Sequence, residues 1–99
     1  MTDDLPDDVD ERVRAVHEHL RATEELAVDP RASAWLGEAD AVAADLVGAD
    51  LPPAVVRERL SHVVDLLDAV DGTDNAEADE HVRAAREHAA VAVAALDAE

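Results

Sequence analysis

Five imidazoles, those of His17, His19, His62, His81 and His88, are the groups in this 99-residue chain best suited to moving protons near neutrality or binding a transition metal. Their spacing matches no strong metal pattern. There is no His-Glu-x-x-His. The residues three before each histidine are Arg14, Val16, Arg59, Ala78 and Ala85, so the Glu-x-x-His of di-iron bundles is missing too. A weaker geometric case remains. His81 and His88 lie seven residues apart and share a helix face, while His17 and His19 flank an apolar stripe on another helix. If those helices run antiparallel, His17 and His19 come level with His88, and a surface site of two or three histidines follows. His17, His19, His81 and His88 are therefore the metal candidates. The plainer expectation for each is a flanking ring, solvated or hydrogen-bonded to Glu18, Glu80 or Glu87, with no metal or other cofactor bound.

Acidic groups dominate the rest of the chemistry. There are 25 Asp and Glu against eight Arg and no Lys, giving a formal net charge of −17. So many carboxylates pair by chance, and spacing singles out no catalytic dyad; a working carboxylate needs a desolvated setting that shifts its pKa. Asp40, Asp45, Asp65 and Asp68 stand nearest the apolar stripes and are expected on the hydrated face. Asp8–Arg12, Asp10–Arg14 and Asp79–Arg83 have the acid four residues before the base, the order that supports a helix. The absence of Cys removes thiol nucleophiles, zinc-thiolate sites and disulfides. Gly37, Gly48 and Gly72 are isolated, so there is no phosphate-cradling loop. Without Lys, a basic patch or an aromatic stacking platform, nucleic acid is not an expected partner. The chain is expected not to be an enzyme.

The elements that hold these groups are read from apolar periodicity. Val9, Val13, Val16, Leu20, Thr23 and Ala27 alternate steps of four and three, the stripe of an amphipathic helix that Asp7 or Asp8 caps and Asp29-Pro30 stops. Asp29 also suits the N-cap of a second helix, from Pro30 to Val47, with Gly48 as its left-handed C-cap. Its stripe is Trp35, Ala39, Val42 and Leu46, widened by Leu36, Ala43 and Val47. Trp35 is expected to anchor the core, at a cost of about 3–5 kcal/mol if truncated to Ala. Pro52-Pro53 opens a third helix with Val56, Leu60, Val63, Leu67 and Val70, widened by Val64 and Leu66, and ended by Asp71-Gly72. A fourth runs from about Asn75 to Asp97, capped by Asp74 with Glu77, on Ala78, Val82, Ala85, Ala89, Ala92 and Leu96. The expected fold is all-α, an antiparallel up-down four-helix bundle. Residues 1–7 are expected to form a flexible acidic N-terminal tail, and residues 8–99 a single four-helix domain. Residues 10–19 and 79–88 match at seven of ten positions, which is either chance in a restricted alphabet or equivalent roles for the first and fourth helices.

Composition bears on habitat. Asp exceeds Glu, Lys is missing, and Ala (22) and Val (14) stand where larger aliphatics are usual, a profile that resembles proteins of halophilic archaea with a molar-KCl cytoplasm. Ala34-Trp35-Leu36-Gly37-Glu38-Ala39, and the Asp71-Gly72-Thr73 turn followed by Asp79-Glu80-His81-Val82, resemble short acidic helical haloarchaeal proteins that form a domain of unknown function. The resemblance spans nearly the whole chain and carries over no site residues. The longest C-terminal stretch without Asp, Glu or Arg, His88 to Leu96, is nine residues, against about 20 for a membrane span. The acidic N-terminus does not read as a signal peptide, so a cytoplasmic location is expected. The functional expectation is a non-enzymatic protein–protein interaction or structural module, a homodimer or the small partner of a larger protein. The alternative is a histidine-based metal-binding bundle.

Salt tests the compositional reading. At about 10 mM salt the Debye length is about 30 Å, so the carboxylates of a small domain repel one another collectively; at molar salt it is about 3 Å. The unfolded chain spreads its charges further, so repulsion acts mainly on the folded state. Far-UV circular dichroism should show helicity and melting temperature rising steeply from about 0.1 to 2 M KCl. Full helicity with an unchanged melting temperature in dilute buffer would contradict the halophilic reading.

Overall fold

The computed structural model describes residues 7–98. The expected acidic tail falls outside the described residues except for Asp7, which begins the first helix. All regular structure among the described residues is helical: α1 (Asp7–Thr23), α2 (Pro30–Leu46), α3 (Pro53–Asp68) and α4 (Ala76–Asp97). Helix starts follow local chemistry. The Asp29 carboxylate accepts the backbone N–H groups of Arg31 (3.1 Å) and Ala32 (3.2 Å), with Pro30 in the first turn. Gly48 takes the left-handed φ of 70° that ends α2.

The cap of α4 differs from the expected Asp74–Glu77 pair. Asn75 is the N-cap, its Oδ1 accepting the Ala78 N–H at 3.0 Å, and Asp74 sits just outside with φ 64°. Buried Thr73 decides this. Its N–H (2.9 Å) and its hydroxyl (2.8 Å) both reach the Asp79 carboxylate, and its Oγ1 accepts the Asn75 N–H at 3.1 Å. Asp79 thereby fastens the loop to the first turn of α4 instead of pairing with Arg83.

α1 also stops earlier than its stripe suggests. The N–H groups of Glu24, Glu25 and Leu26 turn to the carbonyls three residues back, and Ala27 is exposed. Beyond them, Asp29 donates its N–H to the Thr73 carbonyl (2.8 Å), and the Asn75 side chain donates to the Ala27 carbonyl (3.0 Å). These bonds tie the α1–α2 connection to the α3–α4 loop, so the chain leaves the helix to reach them.

Each of α1 and α3 packs against both α2 and α4, giving a four-helix bundle 45 × 20 × 17 Å. Val9, Val13, Val16, Leu20 and Thr23 of α1 are all buried, as their spacing predicts. So are Val56, Leu60, Val63, Leu66 and Leu67 of α3, and Ala78, Ala85, Ala89, Ala92 and Leu96 of α4. α1 brings Val and Leu to the seam where α4 brings Ala, so large side chains meet small ones and the two backbones approach closely.

The stripe of α2 corrects the sequence reading. Its buried set is Ala32, Leu36, Ala39, Ala43 and Leu46, while Val42 is half-buried and Trp35 is 36% exposed. Both sets have helical spacing, so periodicity alone could not choose between them. The start of α2 is fixed by the Asp29–Thr73 bond, and its middle by Asp40, which turns toward α1. That rotation centres Leu36 and the small Ala39 and Ala43 on the core and moves the indole to the rim.

Two truncations separate these registers. Leu60→Ala removes a fully buried side chain and should cost about 2–5 kcal/mol by urea denaturation in molar KCl. Trp35→Ala should cost less than Leu60→Ala, because more than a third of the indole already faces water. Comparable losses for the two would place the indole back in the core.

Candidate functional site

The apolar seam between α1 and α4 is bordered on one side by polar groups in direct contact. Arg12 anchors one end: its Nε donates to Asp8 Oδ2 at 3.2 Å and its Nη1 to His88 Nδ1 at 3.0 Å. A guanidinium can only donate, so His88 Nδ1 must present its lone pair, which makes this ring the neutral tautomer with its hydrogen on Nε2. The His88 ring stacks on His19, with centroids 5.8 Å apart and planes 18° from parallel. His19 Nδ1 in turn lies 2.9 Å from His81 Nδ1, and one of the two donates its N–H to the other's lone pair. All four side chains are half-buried. Burial, then the neighbouring His81 and His88, push the His19 imidazole below its ordinary range, against a smaller opposing pull from Glu18.

The sequence repeat maps onto this cluster. In the alignment of residues 10–19 with 79–88, Arg12 corresponds to His81 and His19 to His88. The contacts respect the correspondence: Arg12 bonds to His88 as His81 bonds to His19. Burial follows as well, since Val16 and Ala85 are both buried and Asp10 and Asp79 both half-buried. The repeat marks equivalent faces of α1 and α4, the sharper of the two readings its sequence allowed.

The fourth metal candidate lies elsewhere. His17 points to α2, where its Nδ1 is 2.8 Å from the Asp40 carboxylate. Two positions on a helix are about 200° apart, which separates His17 from His19. Asp40, expected on a hydrated face, is half-buried at this second seam. Glu24 joins it: a hydrogen bond to Asp40, then burial and the Asp40 charge, lift the Glu24 carboxyl above the usual carboxylate range, with Arg21 and His17 opposing. His62 is exposed on α3, beside Val42, Glu58 and Arg59. Among the described residues no group of three or more His or carboxylate side chains is arranged to hold a metal ion.

Ion pairs lace the surface. Asp10–Arg14 closes at 3.5 Å, as the spacing predicts. Arg57 bonds to Asp97 and Arg86 to Asp68, joining α3 to α4; these pairs lie across helices, where sequence spacing gives no signal. The Arg86 guanidinium holds the Asp68 carboxyl below its ordinary range. Trp35 borders a shallow cleft of about 120 Å³ with Asp29, Arg31, Val70 and Asp71.

A family model described as a domain of unknown function, DUF8152, matches residues 12–99. The chain belongs to this family. The DUF8152 segment contains Arg12, His19, His81 and His88, the whole cluster apart from Asp8, together with all of α2, α3 and α4. No curated protein and no solved structure matches the chain.

The Glu24–Asp40 contact sets a pH dependence. The raised carboxyl takes a proton more readily folded than unfolded, so the contact weakens the fold above the folded pKa. That penalty fades as pH falls through the folded pKa and is gone below the ordinary carboxylate value. Glu24→Gln should raise stability at pH 7 by a few tenths of a kcal/mol in dilute salt and by less in molar KCl. A destabilised Glu24→Gln variant at pH 7 would contradict the assignment.

Proposed function

We propose that this DUF8152 chain is a non-enzymatic helical interaction module of a halophilic archaeal cytoplasm, which binds a protein partner through the surface around Trp35. The observation that carries the reading is the placement of Trp35. The chain's one aromatic side chain lies at the rim of α2, beside a cleft edged by Val70, Asp29 and Asp71. Trp is enriched at the centres of protein interfaces, where it contributes much contact area at low entropic cost. Asp29 and Asp71 outnumber Arg31 around the cleft, which favours a partner with an apolar contact bordered by basic residues. A second copy of the chain would bring −17 against −17 and depends on molar salt to dock.

Other features support the same reading. The groups nearest to catalytic chemistry are engaged with one another: His17 with Asp40, His88 with Arg12, and His19 with His81. An antiparallel up-down course of the helices is supported by the pairs across each seam. As α1 advances from Arg12 to His19, its partner on α4 retreats from His88 to His81. As α3 advances from Arg57 to Asp68, α4 retreats from Asp97 to Arg86. Residues of all four helices share one core, which supports a single domain over residues 8–99. No helix of the described residues is long and apolar enough to cross a membrane. Neither nucleic acid nor a lipid surface is proposed as a partner of so acidic a chain.

The test is a photo-crosslinking amino acid placed at position 35 in cells grown at their native salt, with exposed Ala41 as the control site. A discrete adduct from position 35, absent from position 41 and heavier by the mass of another protein, is the expected result. An adduct of twice the chain mass would replace the partner by a second copy. No adduct from position 35 would overturn the Trp35 surface.

A further inference from the structure

The imidazole cluster offers chemistry that the interaction reading leaves unused. We propose that His19 and His81 form a two-histidine site for a divalent transition-metal ion, bound to one side of the line on which their Nδ1 atoms share a hydrogen. The geometry is specific. The two Nδ1 atoms lie 2.9 Å apart, on different helices, at a seam fixed by buried neighbours. An ion about 2.0–2.1 Å from both nitrogens would be bound at an angle of about 90°, whereas a tetrahedral ion needs them about 3.4 Å apart. A right angle is the cis geometry of tetragonal copper(II) or nickel(II), and imidazole is a favoured ligand of both. Water fills the remaining positions, since the described residues supply no third ligand in place.

Binding requires a tautomeric change and no net proton loss. In the metal-free pair one ring carries its hydrogen on Nδ1. That hydrogen moves to Nε2 through solvent, both rings turn so that their Nδ1 lone pairs converge on the ion, and both stay neutral. The neighbours support the ligands. His88 stacks on the His19 ring, and Arg12 holds His88 through its Nδ1, with Asp8 taking part of the guanidinium's charge. Such a supporting role belongs to groups that orient ligands without touching the metal. This site is independent of Trp35, so its failure leaves the interaction surface standing, and the reverse also holds.

The experiment is a copper(II) titration of the full chain, made without an affinity tag, in molar KCl at pH 7.5, followed by electron paramagnetic resonance. The expected result is one equivalent bound, with an axial spectrum showing two coordinated nitrogens. Loss of a supporting group typically weakens a metal site about 10–100-fold, so His88→Ala should fall in that range, and His19→Ala and His81→Ala should lose at least as much. His62→Ala, at an exposed position on α3, should bind as the parent does. Circular dichroism with each variant checks that the helices persist; for any variant that unfolds, the nitrogen count in the parent's spectrum decides the matter. Binding that is unaffected by both His19→Ala and His81→Ala, a spectrum with oxygen ligands only, or no stoichiometric binding would each overturn the proposal.

Discussion

The arrangement depends on how closely α4 lets its neighbours approach. Ala78, Ala85, Ala89 and Ala92 are buried along one line of a 22-residue helix, and none projects beyond a methyl group. Val9, Val13, Val16 and Leu20 of α1 fill the space above them, and Leu60, Val63 and Leu67 of α3 belong to the same core. A larger residue at Ala85 or Ala89 would force α1 outward, because cores this tightly packed accommodate added methylenes only by moving backbone. The polar contacts at the seam's edge follow from that closeness. His19 and His81 lie one step off their stripes, and their ring nitrogens meet because the helix axes are near.

The polar groups at these seams are satisfied locally. Buried Thr23 donates to the Leu20 carbonyl at 2.6 Å, and buried Thr73 to the Asp79 carboxylate. Among the described residues no buried side-chain nitrogen or oxygen lacks a hydrogen-bond partner. The half-buried histidines meet this requirement through each other, through Arg12 and through Asp40. Burial, then the neighbouring His81 and His88, hold the His19 imidazole below its ordinary range. The acidic excess is carried outside this core, where molar salt can screen it.

Much of this was legible in the sequence because apolar periodicity and helix punctuation are local. The four helices, the Asp29 cap, the left-handed Gly48 and most of the stripes of α1, α3 and α4 follow from spacing and residue type, the exceptions being exposed Ala27 and half-buried Val70 and Val82. What periodicity could not give was rotation. On α2 two registers of apolar residues compete, and the choice rests on Asp29 with Thr73 and on Asp40 with His17, contacts between residues distant in sequence. The early end of α1 and the Asn75 cap have the same origin, in the bonds that tie residues 27–29 to 73–75. For the candidate site, spacing placed His81 and His88 on one face and His17 and His19 on opposite sides of α1, but it did not say which of those two faces α4. The repeat of residues 10–19 in 79–88 was the signal that implicated Arg12, and only the contacts gave it meaning.

The closeness of α1 and α4 is read most directly from the protonation pattern of the imidazoles. Two-bond proton–nitrogen correlation spectra of the nitrogen-15-labelled chain, recorded in molar KCl at pH 7.5 without metal, distinguish Nδ1–H, Nε2–H and doubly protonated rings. His88 is expected as the Nε2–H tautomer facing Arg12. His19 and His81 are expected as opposite tautomers, or exchanging in concert, with nuclear Overhauser contacts between their rings. Averaged, mutually independent spectra for His19, His81 and His88, with no contact between rings of α1 and α4, would show that the seam is open and would contradict the account.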